Sequence, residues 1–222
     1  MYDILFFDLD GTLTDSSEGI TKSIQIALGK MGVECKDRNE LRKYIGPPLT
    51  VSMSDYFEGE DIDKAIKLYR ERYSEIGWKE NRVYDGVHEM LAKLKESGRK
   101  IFMATSKPEH FANRIAEYFD FAKYFDCICG ATTDKLRNTK EEVVAYALEL
   151  AGVTLNDDGK LADPTQVLMI GDRHHDVEGA GSLGVRTLGV TYGFGTREEL
   201  LGCGAVDVVD TPEEVVEYVM KA

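Results

Sequence analysis

Basic residues are the scarcer charge in this chain. Lysine and arginine total 27 against 40 aspartates and glutamates, a formal net charge of −13. With no basic surplus to displace counterions, a nucleic-acid polymer is not an expected partner. A small anionic substrate stays open, because it feels the local field of a site rather than the net charge. Cysteine is also sparse: Cys35, Cys127, Cys129 and Cys203, with no C-x-x-C pair. Cys127 and Cys129, two apart in an apolar run, are read as small buried side chains on one face of a strand. No apolar run approaches the ~20 residues of a membrane span. Repeats and low-complexity tracts are missing. The chain enters its first strand almost at once, so an N-terminal signal is not expected. The expected setting is reducing and cytoplasmic, with no membrane and no nucleic acid as partner.

What is present is a rhythm. In 222 residues, 43% of them hydrophobic and 30% charged, apolar runs of strand length recur at 2–7, 100–104, 125–129, 167–170, 185–190 and 205–209. After the first, helical patterns lie between them. Val87, Met90, Leu91 and Leu94 mark one face, closed by Gly98. Phe111, Ile115 and Phe119 mark a second. Val143, Val144, Ala147, Leu148 and Ala151 mark a third, stopped by Gly152. Thr139-x-x-Glu142 and Thr196-x-x-Glu199 have the spacing of capping boxes. The alternation predicts an α/β fold, a doubly wound, mostly parallel sheet with helices on both faces.

The rhythm breaks over 16–82, where no strand is predicted. Ile20, Ile24, Leu28 and Met31 line one helical face, and Ile62, Ala65, Ile66, Tyr69 and Tyr73 another. Asp37-x-x-Glu40 reads as the start of a helix carrying Leu41 and Ile45, which Gly46-Pro47-Pro48 stops. This stretch is too long for an ordinary loop. It is expected to be an all-helical cap inserted into a core made of 1–15 and 83–222, with Asp85-Gly86 as the return hinge.

Parallel strands place their C-terminal ends on one edge, where ligands bind. The first run ends in "FFDLDGTLTD", so a buried-looking strand leads directly into Asp8, Asp10 and Asp15. Unpaired buried carboxylates are costly. The second run ends in Thr105-Ser106-Lys107 and the fourth in Gly171-Asp172, with Asp176 one helical turn later. Lys140 opens a helix, an unfavourable place for a cation in the helix dipole. Carboxylates, a hydroxyl and a lysine would then converge on one crevice. Clustered oxygen donors suit a hard divalent cation such as Mg²⁺. Thr105 and Lys140 would be left to hold phosphate oxygens, and a carboxylate is a competent nucleophile for phosphoryl transfer.

At these residues the chain resembles the haloacid dehalogenase superfamily. "DLDGTLTD" resembles its first motif, "FMATSK" its second, "RNTKEEVV" its lysine motif and "VLMIGDRHHDVEGA" its fourth. "YIGPPL" and "SKPEHFANRI" look most like the phosphoglycolate phosphatase-like branch, which includes 5′-nucleotidases. The resemblance implies a phosphatase of small phosphate monoesters. Asp8 would be the nucleophile and a Mg²⁺ ligand. Asp10 would be the general acid and then base, with its backbone carbonyl on the metal. Thr105 would hold the phosphoryl group with the amides of Gly11 and Ser106. Lys140 would bridge phosphate and Asp8, Asp172 would complete the metal set, and Asp176 would support it. The acid at Asp10 separates phosphotransfer from dehalogenation. A phosphomutase shares all these residues. A phospho-acceptor signalling domain would instead carry its phosphorylated Asp on a middle strand.

Other features take quieter readings. Adjacent His174 and His175 are expected to point apart and to serve as surface or supporting groups. Lys107-Pro108 either reaches substrate or starts the next helix. Arg42 and Lys43 lie on a solvated helical face or meet a second anionic group. Trp78 and the tyrosines of 16–82 are expected to pack.

Overall fold

The computed structural model describes residues 2–35, 37–134 and 136–221. In chain order come β1 (Ile4–Phe7), the short β2 (Thr14–Asp15), then helices α1 (Ser17–Lys30), α2 (Leu49–Ser54) and α3 (Glu60–Glu75). The chain returns through β3 (Arg82–Val83) into α4 (Val87–Glu96), β4 (Lys100–Pro108), α5 (Glu109–Tyr118) and β5 (Cys127–Ala131). It finishes with α6 (Lys140–Ala151), β6 (Val167–Gly171), α7 (His174–Ser182), β7 (Arg186–Val190), α8 (Arg197–Gly202), β8 (Asp207–Val209) and α9 (Pro212–Lys221). The backbone contacts separate two compact units, Met1–Thr14 with Val83–Ala222, and Asp15–Arg82.

In the first unit six strands form one sheet in the order β5-β4-β1-β6-β7-β8. All five pairings are parallel. The chain starts at the centre, moves out through β4 and β5, and then resumes on the other side of β1 with β6. That reversal opens a crevice at the C-terminal ends of β1, β4 and β6. Period-two alternation decides what lies on each face. Ile4 and Phe6, with Phe102, Ala104, Val167 and Met169, pack against Val143, Val144, Ala147 and Leu148 of α6. Phe6 meets Phe102 edge to face at 5.6 Å. Asp8 is next in that series and therefore points to the face that α6 covers.

α6 carries the predicted capping box: Thr139 accepts from the Glu142 amide, and the Glu142 carboxylate accepts from the Thr139 amide. At α8 only half the box is used for capping. Thr196 accepts from the Glu199 amide, whereas the Glu199 carboxylate accepts from Arg173 and His174.

The second unit is helical but not in the predicted way throughout. α1 buries Ile20, Ile24 and Leu28, and α3 buries Ala65, Ile66, Tyr69 and Tyr73. The stretch after Asp37 is a 3₁₀ run, Arg38–Tyr44, with Asp37 accepting from the Asn39 amide. Only Leu41 and Tyr44 of that run are buried. Helix α2 follows directly after Pro48, where the sequence predicts only a stop. Among the described residues no helix is long and apolar enough to cross a membrane.

Phe6 is fully buried at the centre of the sheet. Phe6→Ala is expected to cost about 3–5 kcal/mol of stability, read as a shift of the urea midpoint with an unchanged m-value.

Candidate active site

Asp8 follows the last residue of β1 and is held by its own amide, which donates to the Ile170 carbonyl at 3.0 Å. Lys140, the first residue of α6, reaches back to it with Nζ 2.7 Å from Asp8 Oδ1. The same ammonium lies 2.6 Å from Asp176 Oδ1 and donates to the Ala104 carbonyl at 3.0 Å. All three of its protons have acceptors, which explains a buried lysine at a helix N-terminus. Gly179 makes room for it, since a Cβ there would stand 2.8 Å from Lys140 Cβ.

Asp176 divides its oxygens: Oδ1 faces Lys140, while Oδ2 accepts from the Arg173 amide at 3.1 Å and so starts α7. Gly171 is required beneath it, because a Cβ would come within 2.4 Å of the Asp176 carboxyl carbon. Asp172 is fully buried. Its Oδ1 accepts from the Thr12 hydroxyl at 3.3 Å and its Oδ2 from the Phe194 amide at 2.8 Å. Gly11, in the left-handed region at φ +93°, passes so close that a Cβ would sit 2.1 Å from Asp172 Oδ2. Gly193 and Gly195 close the other side, where Cβ atoms would fall 2.6 Å from Asp172 Cβ and 2.0 Å from its carbonyl oxygen.

Asp8, Asp172 and Asp176 each place a carboxylate oxygen within 4.8 Å of the others. With all three carboxylates ionised, the one ammonium leaves two negative charges in a buried space. Burial is the largest influence on Asp8 and lifts its pKa to about 6, with Asp176 and Asp10 adding to the rise and Lys140 opposing it. Burial also lifts Asp172 well above the carboxylate range, reinforced by Asp176 and Asp8. Lys140 goes the other way: burial would lower it, but Asp176 and Asp8 raise it further. The donor set is all oxygen and its surplus charge is that of one divalent cation, so a hard cation fits.

Asp10 stands apart from this trio. Its Oδ2 takes a hydrogen bond from Lys107 Nζ at 2.5 Å, and both side chains are largely buried. Asp10 Oδ1 is buried with no hydrogen-bond partner among the described residues. An orphaned acceptor of this kind marks where a proton donor is missing. Lys107 belongs to β4 rather than to the next helix. The β4–β5 register shifts between Thr105 and Pro108, turning the strand end towards Asp10. Gly130 permits that turn, since a Cβ there would lie 2.7 Å from the Lys107 carbonyl.

Thr105 is buried beside the Lys140 acceptor Ala104, and its hydroxyl oxygen accepts from the Lys107 amide at 3.2 Å. Ser106 is half-buried and outside this network. Strand ends alone do not point to Thr12 or to the Gly193-Phe194-Gly195 turn, both of which contact Asp172. The available signal is a Gly-x-Gly directly beyond the fifth apolar run, on the same sheet edge. His174 and His175 do not point apart: their ring centroids are 3.7 Å from each other.

In the helical unit a cavity of about 370 Å³ is lined by Arg38, Arg42 and Arg82 together with the acids Asp15, Glu18 and Glu80. Arg82 forks onto Asp15 Oδ2 at 3.2 and 3.1 Å. Lys43 does not line this cavity; it pairs with Asp55 at 3.4 Å and lies over the Tyr44 ring.

The haloacid dehalogenase-like hydrolase family model matches residues 5–190. A 5′-nucleotidase of Pseudomonas aeruginosa is 43% identical over 201 residues, covering 90% of this chain and 87% of that protein. The tyrosine-protein kinase PtkA of Mycobacterium tuberculosis is 38% identical over 195 residues, 88% of this chain and 64% of that protein. A crystal structure of a predicted phosphatase from Clostridium acetobutylicum superposes with a TM-score of 0.91 at 41% identity, over 100% of both chains. With its four motif segments on one edge of a parallel sheet, the chain belongs to the haloacid dehalogenase-like hydrolases and is one of their phosphatases, a phosphoric monoester hydrolase.

Proposed function

We propose that this phosphatase is Mg²⁺-dependent and hydrolyses small phosphate monoesters through an aspartyl-phosphate on Asp8. The observation that carries the reading is the Lys140 ammonium, buried between Asp8 and Asp176 at 2.7 and 2.6 Å. An anionic nucleophile approaches an anionic phosphorus only where positive charge is already in place. Mg²⁺ held by Asp8, Asp172 and the Asp10 carbonyl would supply further neutralisation of the phosphoryl oxygens.

The chain's own groups then have separable roles. Asp8 attacks phosphorus and becomes the acyl phosphate. Asp10 protonates the departing ester oxygen, and later takes a proton from the water that hydrolyses the aspartyl-phosphate. Its unpartnered Oδ1 is the atom for that work, while Lys107 on Oδ2 holds the carboxyl group still. The Thr105 hydroxyl and the Ser106 amide hold the transferring group; the Gly11 amide, expected to join them, instead donates to the Thr14 carbonyl at 2.8 Å. Asp172 and Asp176 keep the negative field in register, one through Thr12 and Phe194, the other through Lys140.

The helical unit is proposed to set the choice of substrate. Nucleoside monophosphates and phosphoglycolate are the substrates to test first, given the names of the relatives and the sequence branch. A phosphomutase on the same acids would isomerise substrate instead of releasing phosphate.

Phosphate release from a panel of small monoesters and pyrophosphate is expected to require Mg²⁺, to stop in EDTA and to return on Mg²⁺ addition. Asp8→Asn is expected to abolish it. Asp10→Asn should lower kcat by roughly 10²–10⁴-fold. Isomerised substrate with no free phosphate would sink the hydrolase reading. Lys107→Met is expected to lower kcat while leaving KM nearly unchanged, as steady-state kinetics would show; an unaltered kcat would remove Lys107 from the positioning of Asp10.

A further inference from the structure

The first turns of α7 carry a second set of donors, different in kind from the acidic trio. His174, His175 and Glu178 each offer one ligand atom, all within 4.8 Å of one another. The reaction proposed above uses none of them.

Their geometry is set from α8. Glu199 Oε1 lies 2.7 Å from His174 Nδ1 and also accepts from the His174 amide at 3.0 Å. Arg173 Nε donates to the same oxygen at 3.0 Å, so Glu199 is itself anchored. An ionised carboxylate only accepts, which assigns a ring proton to Nδ1; in the neutral ring Nε2 then carries the lone pair. A carboxylate on the far nitrogen is the usual way a metal-binding imidazole is oriented and made more basic.

His174 and Glu178 are four residues apart and share one helical face. His175 would diverge from them on a regular helix, yet its ring centroid lies 3.7 Å from that of His174 at an interplanar angle of 46°. His175 Nε2 is buried and has no hydrogen-bond partner among the described residues. Two imidazoles are thus brought together with a carboxylate, and one ring nitrogen has nothing to bond to.

Two nitrogens and one oxygen are the donor set of a borderline transition cation such as Zn²⁺ rather than of Mg²⁺. We propose that His174, His175 and Glu178 form a second metal site, selective for a transition cation, with Glu199 as the positioning acid. Tetrahedral zinc with Zn–N bonds of about 2.0 Å needs donors roughly 3.3 Å apart. Glu178 is exposed, so its carboxylate can close that gap by turning from Cys203 towards the rings. Three protein donors leave one position for water, so the bound ion is exchangeable. Occupancy would brace the turn that carries Asp176.

The test is a Co²⁺ titration of untagged protein in excess Mg²⁺, followed by visible d–d absorption, with Zn²⁺ as competitor. One equivalent is expected to bind and to be displaced by Zn²⁺. Affinity should fall about tenfold or more in His174→Ala, in Glu178→Gln and in the positioning variant Glu199→Gln. It should persist in Asp172→Asn, and in Cys203→Ser, whose thiol feels the Glu178 carboxylate. Because Glu178 is exposed, its variant tests the site even where a histidine variant fails to fold. No Co²⁺ bound in excess Mg²⁺ would overturn the proposal. So would a signal lost in Asp172→Asn but kept in Glu178→Gln, or a thiolate band lost in Cys203→Ser.

Discussion

The crevice depends on one ammonium group shared by two buried acids. Without Lys140, the carboxylates of Asp8, Asp172 and Asp176 would stand within 4.8 Å of one another with no cation between them. Burial already lifts Asp8 and Asp172 towards their neutral forms, and a third unpaired acid would press them further. Lys140 holds Asp8 and Asp176 at salt-bridge distance and still leaves the set two charges negative. That balance is what makes the site both foldable and receptive. Full neutralisation by protein cations would leave no attraction for a metal, whereas none at all would protonate the nucleophile.

Glycine makes this concentration of charge possible. Asp172 is enclosed by backbone rather than by side chains, because Gly11, Gly193 and Gly195 approach too closely for any Cβ. Backbone close to a carboxylate brings amides with it, and the Phe194 amide donates to Asp172 at 2.8 Å. At Gly171 the same device lets Asp176 of α7 close on the end of β6, and at Gly179 it lets α7 press against Lys140. The first turn of α7 is thereby held against both the sheet edge and α6.

Much of the fold is legible in the sequence because strand and helix periods alternate cleanly outside 16–82. The six apolar runs correspond to the six strands of the sheet, with ends displaced by a few residues. Inside the helical stretch the signal weakens. The run after Asp37 has a capping residue but only two buried side chains, and α2 hides behind a Gly-Pro-Pro that reads as a stop. At the crevice, residues that end strands are readable from position alone: Asp8, Asp10, Thr105 and Asp172 all follow apolar runs. Contacts made across the sheet edge are not. Nothing local to Lys107 says that its ammonium turns back to Asp10, since that turn depends on the β4–β5 register shift and on the space left by Gly130. The half-used capping box at α8 shows the converse. Thr196 and Glu199 have the local spacing, but Arg173 and His174 are the stronger donors and take the carboxylate.

The capture of Glu199 also explains how one short helix can serve two donor sets without mixing them. Asp176 faces the crevice, where every donor is oxygen and burial is nearly complete. His174 and Glu178 lie two residues to either side of Asp176, so the helical turn directs them away from it, towards α8 and solvent. Oxygen donors in a buried, negatively charged pocket favour a small hard cation, while imidazole nitrogens at a wetter surface favour a softer one. The separation follows from helix geometry and donor chemistry, and it requires no barrier between the sites. The crevice acids Asp172 and Asp176 are interleaved with His174, His175 and Glu178 along "DRHHDVE". A shift of α7 by one residue would exchange acid for imidazole at the crevice, so the contacts of Asp176 with Arg173 and Lys140 fix the register on which both donor sets depend.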